Sequence, residues 1–118
     1  MITKIKPLHV YLDDAGKLGR GVFAARAFIR NEVVELAPVF QLDEEFRDMP
    51  KEFQYRVFNW QRMAGSGKKS AIALGYGSMY NHSETPNLLW EADAELEVIR
   101  FVTRRNIEPN EQLTIHYE

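Results

Sequence analysis

The chain is broken into short apolar runs, each stopped within a few residues by Gly, Pro, Asn or Asp. That spacing constrains the fold more than any other feature. Amphipathic helices need ten or more residues in register, whereas strands need four to eight. The pattern therefore predicts a mainly β structure. "LHVYL" (8–12) reads as a strand and "DDAGKLGRG" (13–21) as a turn-rich loop. "GVFAARAF" starts a second strand, "RNE" makes a turn, and "VVELAPVFQL" is a third β-prone stretch with Pro38 as an irregularity or edge. "SAIAL" is a short strand. "NLLWEADAELEVIRFVTRR" reads as a hairpin with Asp93 and Ala94 near its turn and a second arm alternating through Leu96, Val98 and Arg100. After the Pro/Asn turn "NIEPNEQ", "LTIHYE" closes the chain as a strand. Its period of two puts Leu113, Ile115 and Tyr117 on one face, so the Tyr117 hydroxyl needs an inward partner.

One segment suits a helix. "DEEFRDMPKEFQYRVFNW" offers Asp43 to Glu45 for a first turn, but Pro50 limits its length, and alternation resumes through Val57 and Asn59. "AGSGKKS" is a flexible loop. It lacks the G-x-x-x-x-G-K-[ST] spacing of a phosphate-binding loop, because Arg62 stands where the first Gly belongs.

Bulk properties exclude several function classes. The 118 residues fit one domain, 1–118, and 45% apolar content suffices for a core. A net charge of −2 argues against direct nucleic-acid binding. There is no cysteine, so disulfides and Cys-ligated zinc are out. No apolar run is long enough to span a membrane, and the N-terminus is too polar for a secretory signal. The expected location is cytoplasmic.

The densest chemistry lies in "NHSETPN" (81–87). Asn81-His82-Ser83 fits a glycosylation tripeptide, but no secretory signal accompanies it. The three histidines, His9, His82 and His116, lack metal-ligand spacing, so no metal is expected. A hydrogen-bonded turn fits the composition.

Three segments carry a family resemblance. "NHSETPN" matches the N-H-S-x-x-P-N signature of SET domains, the protein lysine methyltransferases. "NEQLTIHY" (110–117) is similar to their terminal G-E-E-L-T-x-x-Y motif, and "LGRGVFAARAF" (18–28) to their first motif. In order and spacing they bracket almost the whole chain. The sequence resembles minimal, stand-alone SET proteins of viral or bacterial type.

This resemblance implies several small β-sheets, few short helices and a C-terminal pseudoknot that brings Asn81-His82 beside Tyr117. It implies transfer of a methyl group from S-adenosylmethionine to a lysine of a protein or peptide, and the pI of 5.9 suits a basic partner. Carried over by motif, Gly19, Arg20 and Gly21 approach the cofactor; taken alone, "GRG" is equally a plain turn. Asn81 binds the amino-acid end through its amide. His82 offers backbone contacts to the adenine while its ring holds the knot. Tyr117 is the active-site tyrosine, near methyl and amine. Tyr76, Tyr80 and Tyr55 are candidates for the lysine channel, although a core aromatic is the stronger reading of each taken singly. The lysine must be neutral to attack, and an apolar channel lowers its pKa from about 10.4.

His116 stands where many members have Asp, and Asn110 where Gly is common. Members also continue past the tyrosine with a tail that closes the channel. A chain ending "YE" is expected to complete its site from another subunit, as in a homodimer, or to leave the cofactor exposed. The alternative function is a catalytically inactive SET-like module that binds cofactor or a protein partner.

Overall fold

The computed structural model describes residues 8–117. Two mixed or antiparallel sheets carry most of it, joined by short helical turns. The first sheet has the order β1-β2-β9-β6, with β1 Val10–Asp14, β2 Arg20–Ala24, β9 Gln112–Ile115 and β6 Asn81–His82. The second has the order β4-β5-β3-β8-β7, with β4 Val57–Phe58, β5 Ser70–Ala73, β3 Val33–Leu42, β8 Val98–Thr103 and β7 Leu88–Asp93. The expected mainly β architecture is present.

The first strand runs two residues further than its apolar run. Asp13 and Asp14 pair with Gly21 and Arg20, because an edge strand leaves charged side chains in water. The long strand β3 is central. It pairs with β8 through Pro38, then with β5 from Val39 onward. Pro38 sits at this handover. It has no N–H to give, but its carbonyl accepts from Leu74 N–H at 2.8 Å.

Two readings need correction. The hairpin turn is 94–97, so Leu96 belongs to the turn and not to the second arm. Val98, Ile99 and Phe101 are all buried, since β8 is covered on both faces, and alternation fails there. The expected single helix is instead a 3-10 turn, Phe46–Asp48, and a four-residue helix α1, Lys51–Gln54, which Pro50 begins rather than breaks. A second helix, α2, Trp60–Ala64, was not anticipated. Its signals were present: the Asn59 side chain caps it by accepting from Arg62 N–H at 3.3 Å, and Gly65 ends it with φ 76°. The apolar tyrosine–valine alternation across 55–59 concealed them.

The core lies between the two sheets. Trp60, Tyr80, Phe101, Leu88 and Ile99 are fully buried within it, and the Tyr80 and Phe101 rings lie 4.6 Å apart. Strand β9 adds Leu113 and Ile115, both wholly inaccessible. It lies antiparallel to β2 and parallel to β6, pairing Asn81 with Thr114 and His82 with Ile115. The last strand thus delivers the chain's end to the histidine of the 81–87 stretch. No helix among the described residues is long and apolar enough to cross a membrane.

Candidate active site

The site is assembled where β6, β9 and the loop before β2 meet. Gly19 ends a 3-10 turn at φ 78°, a left-handed conformation that favours glycine. Gly21 is required for a different reason. A Cβ there would collide with Gln112 Oε1 and lie 3.0 Å from Asn81 Nδ2. Absence of a side chain lets β2 lie against the Asn81 amide. That amide donates to Arg20 O at 3.0 Å and to Gln112 Oε1 at 2.9 Å, so both of its hydrogens are engaged. Only Oδ1 stays open to a ligand among the described residues. Arg20 itself is exposed and contributes its carbonyl here.

His82 is a clasp. Its Nδ1 accepts the Tyr117 backbone N–H at 3.0 Å. An accepting Nδ1 places the ring proton on Nε2, which faces Glu84 Oε1 at 3.1 Å. Glu84 also meets His116 Nε2 at 3.3 Å, and the two imidazoles lie 4.7 Å apart. Hydrogen bonds from the two rings hold the Glu84 carboxyl below the usual carboxylate range. Two of the three histidines are therefore neighbours, within 4.8 Å of a shared carboxylate. With its proton on Nε2, His82 lacks the lone pair a metal would need there, and the trio reads as a hydrogen-bonded latch.

Asn87 supplies a second latch. Its Nδ2 donates to Gln112 O at 2.8 Å, and its Oδ1 accepts from Thr114 N–H at 2.8 Å. One side-chain amide thus imitates a strand partner for β9. Glu111, bonded to Arg105, also accepts from this amide.

Tyr117 follows β9 and turns its ring inward against Phe58, with centroids 5.4 Å apart. Its hydroxyl is buried and forms no hydrogen bond of acceptable geometry. Burial pushes this phenol up to about 12, although the nearby Arg56 guanidinium pulls the other way. It stays protonated at neutral pH. The ring borders a cavity of about 560 Å³ whose walls include Phe58, Asn59, Met63 and Trp90; its charged members are Glu45, Arg47, Arg62 and Lys69, with Glu45 ion-paired to Arg47 at 2.9 Å and to Lys69 at 3.9 Å. Trp90 Nε1 donates to His116 O at 3.0 Å, which fixes the indole beside Tyr117.

The remaining tyrosines do not border this cavity. Tyr55 is 76% exposed on the surface. Tyr76 packs half-buried against the core, and Tyr80 is fully buried. Neither of these two nor Tyr55 lines the cavity; Phe58 and Trp90 do. Tyr80 donates instead to Glu35 Oε1 at 2.7 Å, and Tyr76 N–H donates to Glu35 Oε2 at 2.9 Å. Burial raises the Glu35 carboxyl, and these bonds partly offset it. Burial, with Glu35 beside it, pushes Tyr80 well above the usual phenol range. Glu35 had a visible signal, a lone acid inside "VVELAP". Phe58, Trp90 and Arg56 had none, since only folding brings them to Tyr117.

Comparison with known proteins decides the family. The SET-domain family model matches residues 19–118. The chain belongs to the SET-domain family. Its SET domain is 36% identical, over 104 residues, to a histone-lysine N-methyltransferase of Schizosaccharomyces pombe described as H3 lysine-37 specific. That match covers 88% of this chain and 69% of the relative. Among solved structures, a candidate histone methyltransferase of Plasmodium falciparum superimposes with a TM-score of 0.75 at 21% identity, covering 96% of both chains. The Cryptosporidium protein CpSET8 gives a TM-score of 0.67 at 18% identity, over 92% of this chain and 56% of that one. At such identities the two structures speak for the SET fold alone.

Proposed function

We propose that this SET domain transfers a methyl group from S-adenosylmethionine to a lysine side-chain amine of a basic, histone-like protein. The observation that carries the reading is Tyr117. Its backbone is bound to His82 and its ring faces the cavity, while its buried hydroxyl lacks a partner. A buried polar atom without a partner is costly, so its persistence points to a group that arrives later. Membership of the SET family and the name of the fission-yeast relative support the reaction class.

The residues fit the cofactor. The loop at Gly19–Gly21 and the free Oδ1 of Asn81 suit its amino-acid end, with Oδ1 accepting from the ammonium. When bound, S-adenosylmethionine supplies a methyl already activated on a sulfonium. The protein's work is then positioning and solvation. Phe58 and Trp90 present aromatic walls that penalise an ammonium and favour the neutral amine. Tyr117 stays a phenol, able to orient amine and methyl without acting as a general base. His82, with Glu84 behind it, fixes where that phenol stands. Tyr76 and Tyr80 act from behind the site, by bracing the turn that leads into Asn81.

Isothermal calorimetry tests the cofactor half of this reading. S-adenosylmethionine is expected to bind the native chain, and Asn81→Ala to abolish the binding. Absence of heat at millimolar ligand contradicts the reading.

A further inference from the structure

His82 and His116 are 34 residues apart, a spacing that suggests no metal in the sequence. Folding brings them together. The parallel pairing of β6 with β9 puts His82 beside Ile115, and the two imidazoles lie 4.7 Å apart. Glu84 reaches both rings, with Oε1 3.1 Å from His82 Nε2 and Oε2 3.3 Å from His116 Nε2. One ligand atom from each of the three lies within 4.8 Å of the others. Neighbouring ligands of a tetrahedral zinc, bound at about 2.0–2.1 Å, stand roughly 3.3–3.4 Å apart. Both nitrogen–oxygen separations are already near that edge, and closing the imidazoles on a shared centre completes the set.

The surroundings suit such a set. Ser83 N–H donates to Ile115 O at 2.8 Å, which ties the loop carrying Glu84 to the strand that delivers His116. All three side chains are exposed, so Glu84 can swing and water can take a fourth position. Among the described residues, only these two rings bond the Glu84 carboxylate. The His116 Nδ1 makes no hydrogen bond among them, so that ring can free its Nε2 by shifting a proton. His82 differs. Its Nε2 becomes a ligand only when its proton moves to Nδ1, and Nδ1 now accepts the Tyr117 N–H at 3.0 Å. After that move two donors face each other and the clasp opens.

We propose that His82, Glu84 and His116 form a zinc site whose occupation releases the Tyr117 backbone. Nothing is oxidised or reduced, and the proton passes through solvent from one ring nitrogen to the other. The bound ion and the closed clasp are alternatives, so each weakens the other by the same factor. Zinc thereby acts from the surface on the residue that carries the buried hydroxyl. The imidazole pair is this chain's own feature, since His116 stands where many SET domains have Asp. The site does not depend on the methyltransferase reading.

Calorimetry of the untagged 118-residue chain with zinc chloride tests this. One zinc per chain is expected, and no binding of magnesium chloride, because imidazole ligands suit zinc and magnesium prefers oxygen. His116→Asn and Glu84→Gln should each weaken zinc roughly tenfold or more, at least about 1.4 kcal/mol. Nitrogen-15 spectra of the wild-type imidazoles need no variant. His82 should carry its proton on Nε2 without zinc and on Nδ1 with it, and the Tyr117 amide signal should move. Absence of zinc binding by the wild-type chain overturns the proposal. So does undiminished binding by both variants, or a His82 that keeps its Nε2 proton in the zinc-bound chain. Each of these leaves the methyltransferase reading intact, whereas failure to bind S-adenosylmethionine without zinc removes that reading alone.

Discussion

Tyr117→Phe should stabilise the protein while disabling it. The substitution removes only the hydroxyl and leaves the ring on Phe58. That hydroxyl is buried and makes no hydrogen bond, so the folded state carries its desolvation without return. A buried unsatisfied polar group costs about 1–3 kcal/mol. Arg56 offsets part of this by its charge, which places the expected gain near the lower end, about 1 kcal/mol. For a chain of this length that corresponds to a rise in Tm of roughly 3–5 °C. Thermal unfolding of both proteins at neutral pH without ligand, followed by circular dichroism, measures it directly. Methyl transfer by the same variant should fall about 100-fold or more, as when a transition-state contact is lost. A Tm that drops or stays constant refutes the claim that the site holds an unpaired hydroxyl in reserve.

Tyr80→Phe makes the opposite change and should lower stability by about 1–3 kcal/mol in the same assay, because it strips the buried Glu35 Oε1 of its donor. Glu35→Gln should alter the pH dependence of stability. The folded state raises the Glu35 carboxyl, so its contribution is fully favourable below the ordinary 4.5 and is lost as pH rises through the raised value. Urea unfolding should therefore show the Gln variant gaining on wild type as pH rises above about 4.5, and a constant difference contradicts this. Asn87→Ala removes the amide that holds β9 at both Gln112 and Thr114, and should cost about 2–3 kcal/mol in chemical denaturation. Gly21→Ala places a methyl group against Gln112 Oε1 and the Asn81 amide; calorimetry should show cofactor binding lost, and binding at wild-type strength argues against close packing there.

Much of this fold was legible because strand signals are local. Val33–Leu42 was readable from end to end, and the inward alternation of Leu113 and Ile115 led correctly to a buried Tyr117 hydroxyl. Asn110, standing where glycine is common in SET domains, adopts φ 69°, a conformation asparagine tolerates better than most residues. What failed was of two kinds. Helix α2 is only five residues long, too short for periodicity to announce it, so its cap and terminating glycine were the available evidence. The cavity wall was hidden for another reason. Phe58 and Trp90 lie 59 and 27 residues from Tyr117, and only the order of the sheets brings them together. The tyrosines nearest the signature looked better placed, yet Tyr80 is turned into the core by a carboxylate 45 residues away.

The central claim, methyl transfer to lysine, is tested most directly by incubating the chain with radiolabelled S-adenosylmethionine and a set of histone proteins, then locating the label by mass spectrometry. The account predicts added methyl groups on a lysine ε-amine with the wild-type chain and almost none with Tyr117→Phe. Cofactor binding without label on any lysine, there or in a whole lysate, contradicts it and leaves a SET domain that binds without catalysing.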